Sequence, residues 1–74
     1  MIKLNPENMV EVAKKIKNPA TKSVTILKEG MPLGGCEFGN NPATQAMREH
    51  YVTKLENLTE NLPENCGELF VKII

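Results

Sequence analysis

The spacing of apolar residues predicts an all-α protein: a two-helix hairpin with a glycine-rich central turn, pairing with a second hairpin into a four-helix bundle. Three observations support this. Apolar or small residues recur at Met9, Ala13, Ile16, Ala20, Val24, Leu27 and Met31, in helical steps of three and four. A second series with the same steps runs through Met47, Tyr51, Leu55, Leu58, Leu62, Cys66, Leu69 and Ile73. Between the two, Gly30 to Asn41 holds four glycines and Pro32, the one obvious long loop.

Each element has a start signal. The first helix is expected to follow Asn5-Pro6 and the second to follow Asn41-Pro42, because Asn caps a helix and Pro is preset for its first position. Lys14, Lys15, Lys17 and Lys22, and Glu49, Glu56 and Glu60, fall on or near the faces away from the stripes. Both stripes run across a proline, Pro19 in the first and Pro63 in the second, so each helix is expected to bend there.

The alternative takes those prolines as breaks, since an interior proline costs a helix about 3 kcal/mol. Ser23 to Leu27 and Leu69 to Ile74 then read as β-branched strands, with Ile2 to Leu4 as a third. The order becomes βαβαβ, a small α/β protein with a parallel sheet. Cys66, Leu69, Phe70 and Ile73 also share one side of a helix, which favours the hairpin for the last segment.

Length and composition exclude several classes. Seventy-four residues make a single domain, 1–74, and nine basic residues balance nine acidic ones. Zero net charge, no Trp, and Phe38, Phe70 and Tyr51 as the aromatic residues argue against a nucleic-acid partner. No apolar run exceeds four residues, so neither membrane insertion nor a signal-peptide core is expected. The protein is then cytoplasmic, or secreted without a cleaved signal peptide. Cys36 and Cys66 are too few for a disulfide scaffold or a four-ligand zinc site. No cofactor and no metal are expected. A chain of this length buries only about 60–65% of the surface it exposes when unfolded, so a partner chain is the expected supplement.

Candidate chemistry is sparse. Cys36 and His50 are the residue types of an activated nucleophile, but no third residue in the sequence orients the imidazole. In the α/β alternative the segment Gly34 to Asn41 precedes a helix start and could cradle an anion, although no Walker lysine follows it. The stripes carry more. Two helices cannot cover both of them, so Met9, Ile16, Leu27, Met47, Tyr51, Leu55, Leu58, Leu62 and Leu69 are expected to form a partner interface.

The opening Met1-Ile2-Lys3-Leu4-Asn5-Pro6-Glu7-Asn8-Met9 resembles the start of the WXG100/ESAT-6-like small proteins of type VII secretion. Phe38-Gly39-Asn40-Asn41-Pro42-Ala43-Thr44-Gln45-Ala46 resembles their central turn and the start of their second helix. The chain has no Trp-x-Gly, and Leu55 stands four residues after Tyr51 where that family's export signal has an acid. The resemblance implies a small secretion effector, or the partner of a larger secreted chain. The expected function is therefore a non-enzymatic protein–protein interaction module, a homodimer or a heterodimer with another helical protein. The alternative is a small α/β ligand-binding protein using Gly34 to Asn41.

Overall fold

The computed structural model describes residues 1–61 and 67–74. The chain runs through β1 (Ile2–Leu4), α1 (Met9–Lys17), β2 (Ser23–Lys28), β3 (Met31–Glu37), α2 (Pro42–Glu60) and β4 (Leu69–Ile73). All four strands form one sheet in the order β1-β4-β2-β3, every neighbouring pair antiparallel. The fold is α/β, which overturns the expected all-α hairpin and with it the four-helix bundle. The parallel βαβαβ sheet is corrected too. β4 lies between β1 and β2, and β2 lies between β3 and β4, so two split β-α-β units interlock.

The helical stripe from Met9 to Met31 turns out to join separate elements. α1 ends at Lys17, and Asn18 is extended (φ −61°, ψ 126°), as the residue before a proline prefers. Val24, Thr25 and Ile26 then form the centre of β2. Val24 and Ile26 are buried toward the helices, while Leu27 lies on the other sheet face. The three-residue step from Val24 to Leu27 therefore linked opposite faces of a strand.

The glycine-rich stretch is a strand as well. Glu29 and Gly30 have φ of 50° and 85°, the paired positive values that a tight two-residue hairpin turn requires. They fold Met31–Glu37 back on β2 as β3. The register shifts between Ile26 and Leu27, leaving Leu33 as an extra residue in β3. The final segment, expected to be helical, is β4, paired with β1 on one side and β2 on the other.

The three Asn-Pro steps do three different things. Asn41 is the N-cap of α2: its side chain accepts from the Thr44 N–H at 3.0 Å, and its own N–H donates to Thr44 Oγ1 at 3.1 Å. Asn18 closes α1. Asn5 starts a turn in which Asn5 N–H donates to Asn8 Oδ1 at 3.1 Å and Asn8 N–H donates to Asn5 Oδ1 at 2.9 Å. Pro63, where the second stripe was expected to bend, lies outside the described residues.

Both helices cover one face of the sheet. Leu4, Val24, Ile26, Leu69 and Val71 meet Val12 and Ile16 of α1 and Val52 and Leu55 of α2 in one core. On the opposite face, Lys3 lies beside Phe70, Phe70 beside Leu27, and Lys72 beside Thr25.

A charged residue sits among these apolar ones. Arg48 of α2 is 1% exposed and the largest fully buried side chain among the described residues. Its guanidinium donates to the carbonyls of Thr21 at 2.9 Å and Gly39 at 3.1 Å, with longer contacts to Asn18 at 3.3 Å and Pro19 at 3.4 Å. It also lies over the Phe38 ring, 5.3 Å from the centroid. No hydrogen bond joins Nε to a protein acceptor. Arg48 thereby ties the loop that leaves α1 to the loop that enters α2. Arg48→Met keeps the volume and strands those carbonyls, so it should cost about 3 kcal/mol in urea unfolding. Arg48→Lys should recover less than half of that, because one ammonium lacks the fork that spans both loops. A loss under about 1 kcal/mol for the Met variant would contradict the tie.

Candidate functional site: the β3 edge and its groove

Strand order leaves β1 and β3 at the edges, with lengths of three and seven residues. Ser23 exchanges both backbone bonds with Ile74, at 3.0 and 3.2 Å. Alternation along an antiparallel strand then turns the N–H and C=O of Val24 and Ile26 toward β3, where they face Cys36 and Gly34. Gly35 and Glu37 consequently point their N–H and C=O groups away from β2, off the free edge. Natural edges are usually blunted with lysine or covered by another element. Met31 to Cys36 carry no charge, and only Pro32, next to the turn, interrupts the edge.

Beside this edge lies a groove of about 290 Å³ lined by Ile26, Leu33, Gly34, Gly35, Tyr51, Lys54 and Leu58. Its depth comes from a missing side chain. Gly34 stands opposite Ile26, and a Cβ placed there would meet nothing within 4 Å. The far wall is α2, whose Tyr51, Lys54 and Leu58 fall on one side at helical spacing, with Met47 one turn earlier. The core-facing side of the same helix holds Arg48, Val52, Leu55 and Thr59. Its apolar walls are open to water: Leu33 is 58% exposed and Leu58 40%.

Two polar side chains face the groove, both hydrogen-bond donors. Among the described residues, neither the Tyr51 hydroxyl nor the Lys54 ammonium has a hydrogen-bond or ion-pair partner. The Tyr51 ring meets Phe38 edge-on, with centroids 6.2 Å apart and planes at 77°. Phe38 in turn lies under Arg48, so the buried cation and the groove wall are in contact through one ring. Burial, and after it the neighbouring Cys36 thiol, push the Tyr51 hydroxyl above its usual value of 10.0.

Two other depressions offer less. One of about 430 Å³, lined by Met1, Lys15, Asn18 and Lys72 among others, is more open, and Lys15 already pairs with Glu11 at 3.4 Å. One of about 220 Å³ lies between Met9 and Val10 of α1 and Glu56, Thr59 and Glu60 of α2.

The expected interface residues divide. Met9, Ile16, Tyr51, Leu55 and Leu69 are buried in the core, with Met9 and Tyr51 also bordering surface depressions. Leu27 is half-buried on the open sheet face. Tyr51 and Leu58 line the groove, and Met47 is exposed one turn earlier on α2. Leu62 and Cys66 lie outside the described residues. Leu33 and Lys54 carry the site without having been singled out; the signals were the Glu29-Gly30 turn, which makes β3 a strand, and the three-residue step from Tyr51 to Lys54.

The anion cradle expected before Asn41 is closed by the chain itself, since the Asn41 and Thr44 side chains occupy the helix start. Cys36 is half-buried and its Sγ points at Glu37 O, 3.9 Å away, whereas His50 is exposed on α2; no hydrogen bond joins the two. Among the described residues no group of three His, Cys, Asp or Glu could hold a metal ion. Nor is any described helix long and apolar enough to cross a membrane. Comparison with family models, with curated proteins and with solved structures finds no match for the chain.

Tyr51 is the one tyrosine in a chain without tryptophan, so phenolate absorbance reads it alone. The folded protein should titrate with a midpoint above 10.0 and the urea-unfolded chain near 10.0. A raised folded value for an acid means its stabilising contribution is complete below the unfolded midpoint and fades as pH rises through the folded one. Stability should therefore fall above pH 10, and Tyr51→Phe should remove that part of the fall. A folded midpoint at or below the unfolded one would contradict the burial of this hydroxyl in the groove wall.

Proposed function

We propose that this protein is a non-enzymatic interaction module that binds an extended polypeptide segment by strand addition to β3, with one apolar side chain seated in the groove against α2. The observation that carries the proposal is the seven-residue edge strand, uncharged from Met31 to Cys36, running beside an apolar groove. An added strand would pair with the outward N–H and C=O groups of Gly35 and Glu37, and its alternate side chains would turn toward the groove. The glycine pair allows close backbone approach, and Leu33 and Leu58 supply apolar walls.

The groove, at about 290 Å³, has room for an apolar side chain. The proposal keeps a non-enzymatic protein–protein function and uses Gly34 to Cys36 of the segment expected to bind a ligand. It moves the contact from helical stripes to a strand edge. The N-terminal resemblance to type VII secretion proteins implied a helical hairpin; Ile2–Leu4 is a strand instead, and the proposal draws no support from that resemblance.

Panning a short random-peptide library on the whole protein tests this reading. Enriched peptides should shift the amide signals of Leu33, Gly35 and Glu37 and slow exchange at the Gly35 and Glu37 N–H groups. Leu58→Asp, at a 40% exposed position, should weaken them by about tenfold or more while leaving the far-ultraviolet spectrum unchanged. Failure of any peptide to enrich, or enrichment of peptides that leave β3 untouched, would overturn strand addition.

A further inference from the structure

The groove's polar groups specify more than an apolar side chain. Every polar side chain lining it is a donor: the ammonium of Lys54 and the hydroxyl of Tyr51, neither with a partner among the described residues. Among the described residues no carboxylate lines it, and β3 offers none before Glu37 at its far end. Two ion pairs are formed elsewhere among the described residues, Lys3 with Glu68 at 2.8 Å and Lys15 with Glu11 at 3.4 Å, and neither borders the groove.

From this unanswered pair we infer that the segment bound at β3 carries a carboxylate beside its groove-filling apolar residue, held by the Lys54 ammonium and the Tyr51 hydroxyl. The inference rests on the strand-addition reading. A charge-assisted contact at the lip of an apolar groove is stronger than one between neutral groups, because part of its surroundings excludes water. A tyrosine hydroxyl is protonated throughout the neutral range and can donate there. A second copy of this chain fits less well, because its β3 brings an acid only at its last residue, Glu37.

The carboxylate has two possible sources in a polypeptide, the C-terminus and an Asp or Glu side chain. Two short random-peptide libraries separate them, one displayed with a free C-terminus and one anchored through it. Enrichment in the free library alone, with an apolar residue at or beside the end, assigns the terminus. Enrichment in both, with Asp or Glu next to an apolar residue, assigns the side chain. Selected peptides are then titrated as acid and as amide, or with the acidic residue changed to Asn or Gln. The targets are the native protein, Lys54→Met, Lys54→Arg and the control Lys15→Met.

Neutralising the carboxylate should weaken binding about tenfold or more. Lys54→Met should cause the same loss, and the two changes together should cost little beyond either alone. Lys54→Arg and Lys15→Met should bind as the native protein does. Peptides that slow exchange at Gly35 and Glu37 yet bind alike as acid and amide would overturn the carboxylate and leave strand addition standing. Peptides that enrich in neither library, or that bind away from β3, would overturn both.

Discussion

The buried guanidinium of Arg48 holds two parts of the chain that share no regular structure. Thr21 and its neighbours lead from α1 into β2; Gly39 leads from β3 into α2. One side chain, 1% exposed, bonds carbonyls from both. A lone buried cation is costly, and among the described residues no carboxylate offsets it. Carbonyl dipoles and the Phe38 ring do so instead. The arrangement fixes how α2 enters the fold, and α2 is the wall of the groove. From Arg48 through Phe38 to Tyr51, the contacts that set the entry of the helix continue into the site.

The groove follows from strand order and from one missing Cβ. The tight Glu29-Gly30 turn places β3 outside β2, and the split β-α-β arrangement gives the other side of β2 to β4. β3 is left with a free edge. At Gly34 the inward face of that edge has no side chain to pack on α2, and Tyr51, Lys54 and Leu58 border the space instead. A groove beside an open strand suits a ligand that has both a backbone and side chains. The uncharged run from Met31 to Cys36, which leaves an edge open to nonspecific pairing, lies beside a groove lined by Lys54.

Part of this was legible in the sequence. Asn41-Pro42 with Thr44 announced the start of α2 correctly, because a capping box is a local device that needs no tertiary help. Val24, Thr25 and Ile26 had strand character, and Pro19 did end the preceding structure, as the α/β alternative held. What misled was spacing. Apolar residues three and four apart arise by chance where a helix, a turn and a strand follow in quick succession, and Met9 to Met31 spans all three. β3 was hidden for a different reason: Met-Pro-Leu-Gly-Gly-Cys-Glu has little intrinsic strand preference. Its conformation is imposed by β2 and by the tight turn, so only the Glu-Gly step pointed to it. Arg48 was invisible as a core residue because its partners are backbone carbonyls far away in the chain. In the second stripe, Tyr51 and Leu55 belong to the core, and Tyr51 and Leu58 also line the groove.

The account stands or falls on β3 being paired on one side and open on the other. Amide exchange in the free protein, resolved at Gly34, Gly35, Cys36 and Glu37, measures that directly. The expected pattern alternates: slow at Gly34 and Cys36, which bond β2, and fast at Gly35 and Glu37, which face the free edge. Fast exchange at all four would mean that β3 does not pair with β2. Slow exchange at Gly35 and Glu37 would mean that the edge is already covered, and the surface assigned to a partner would not exist.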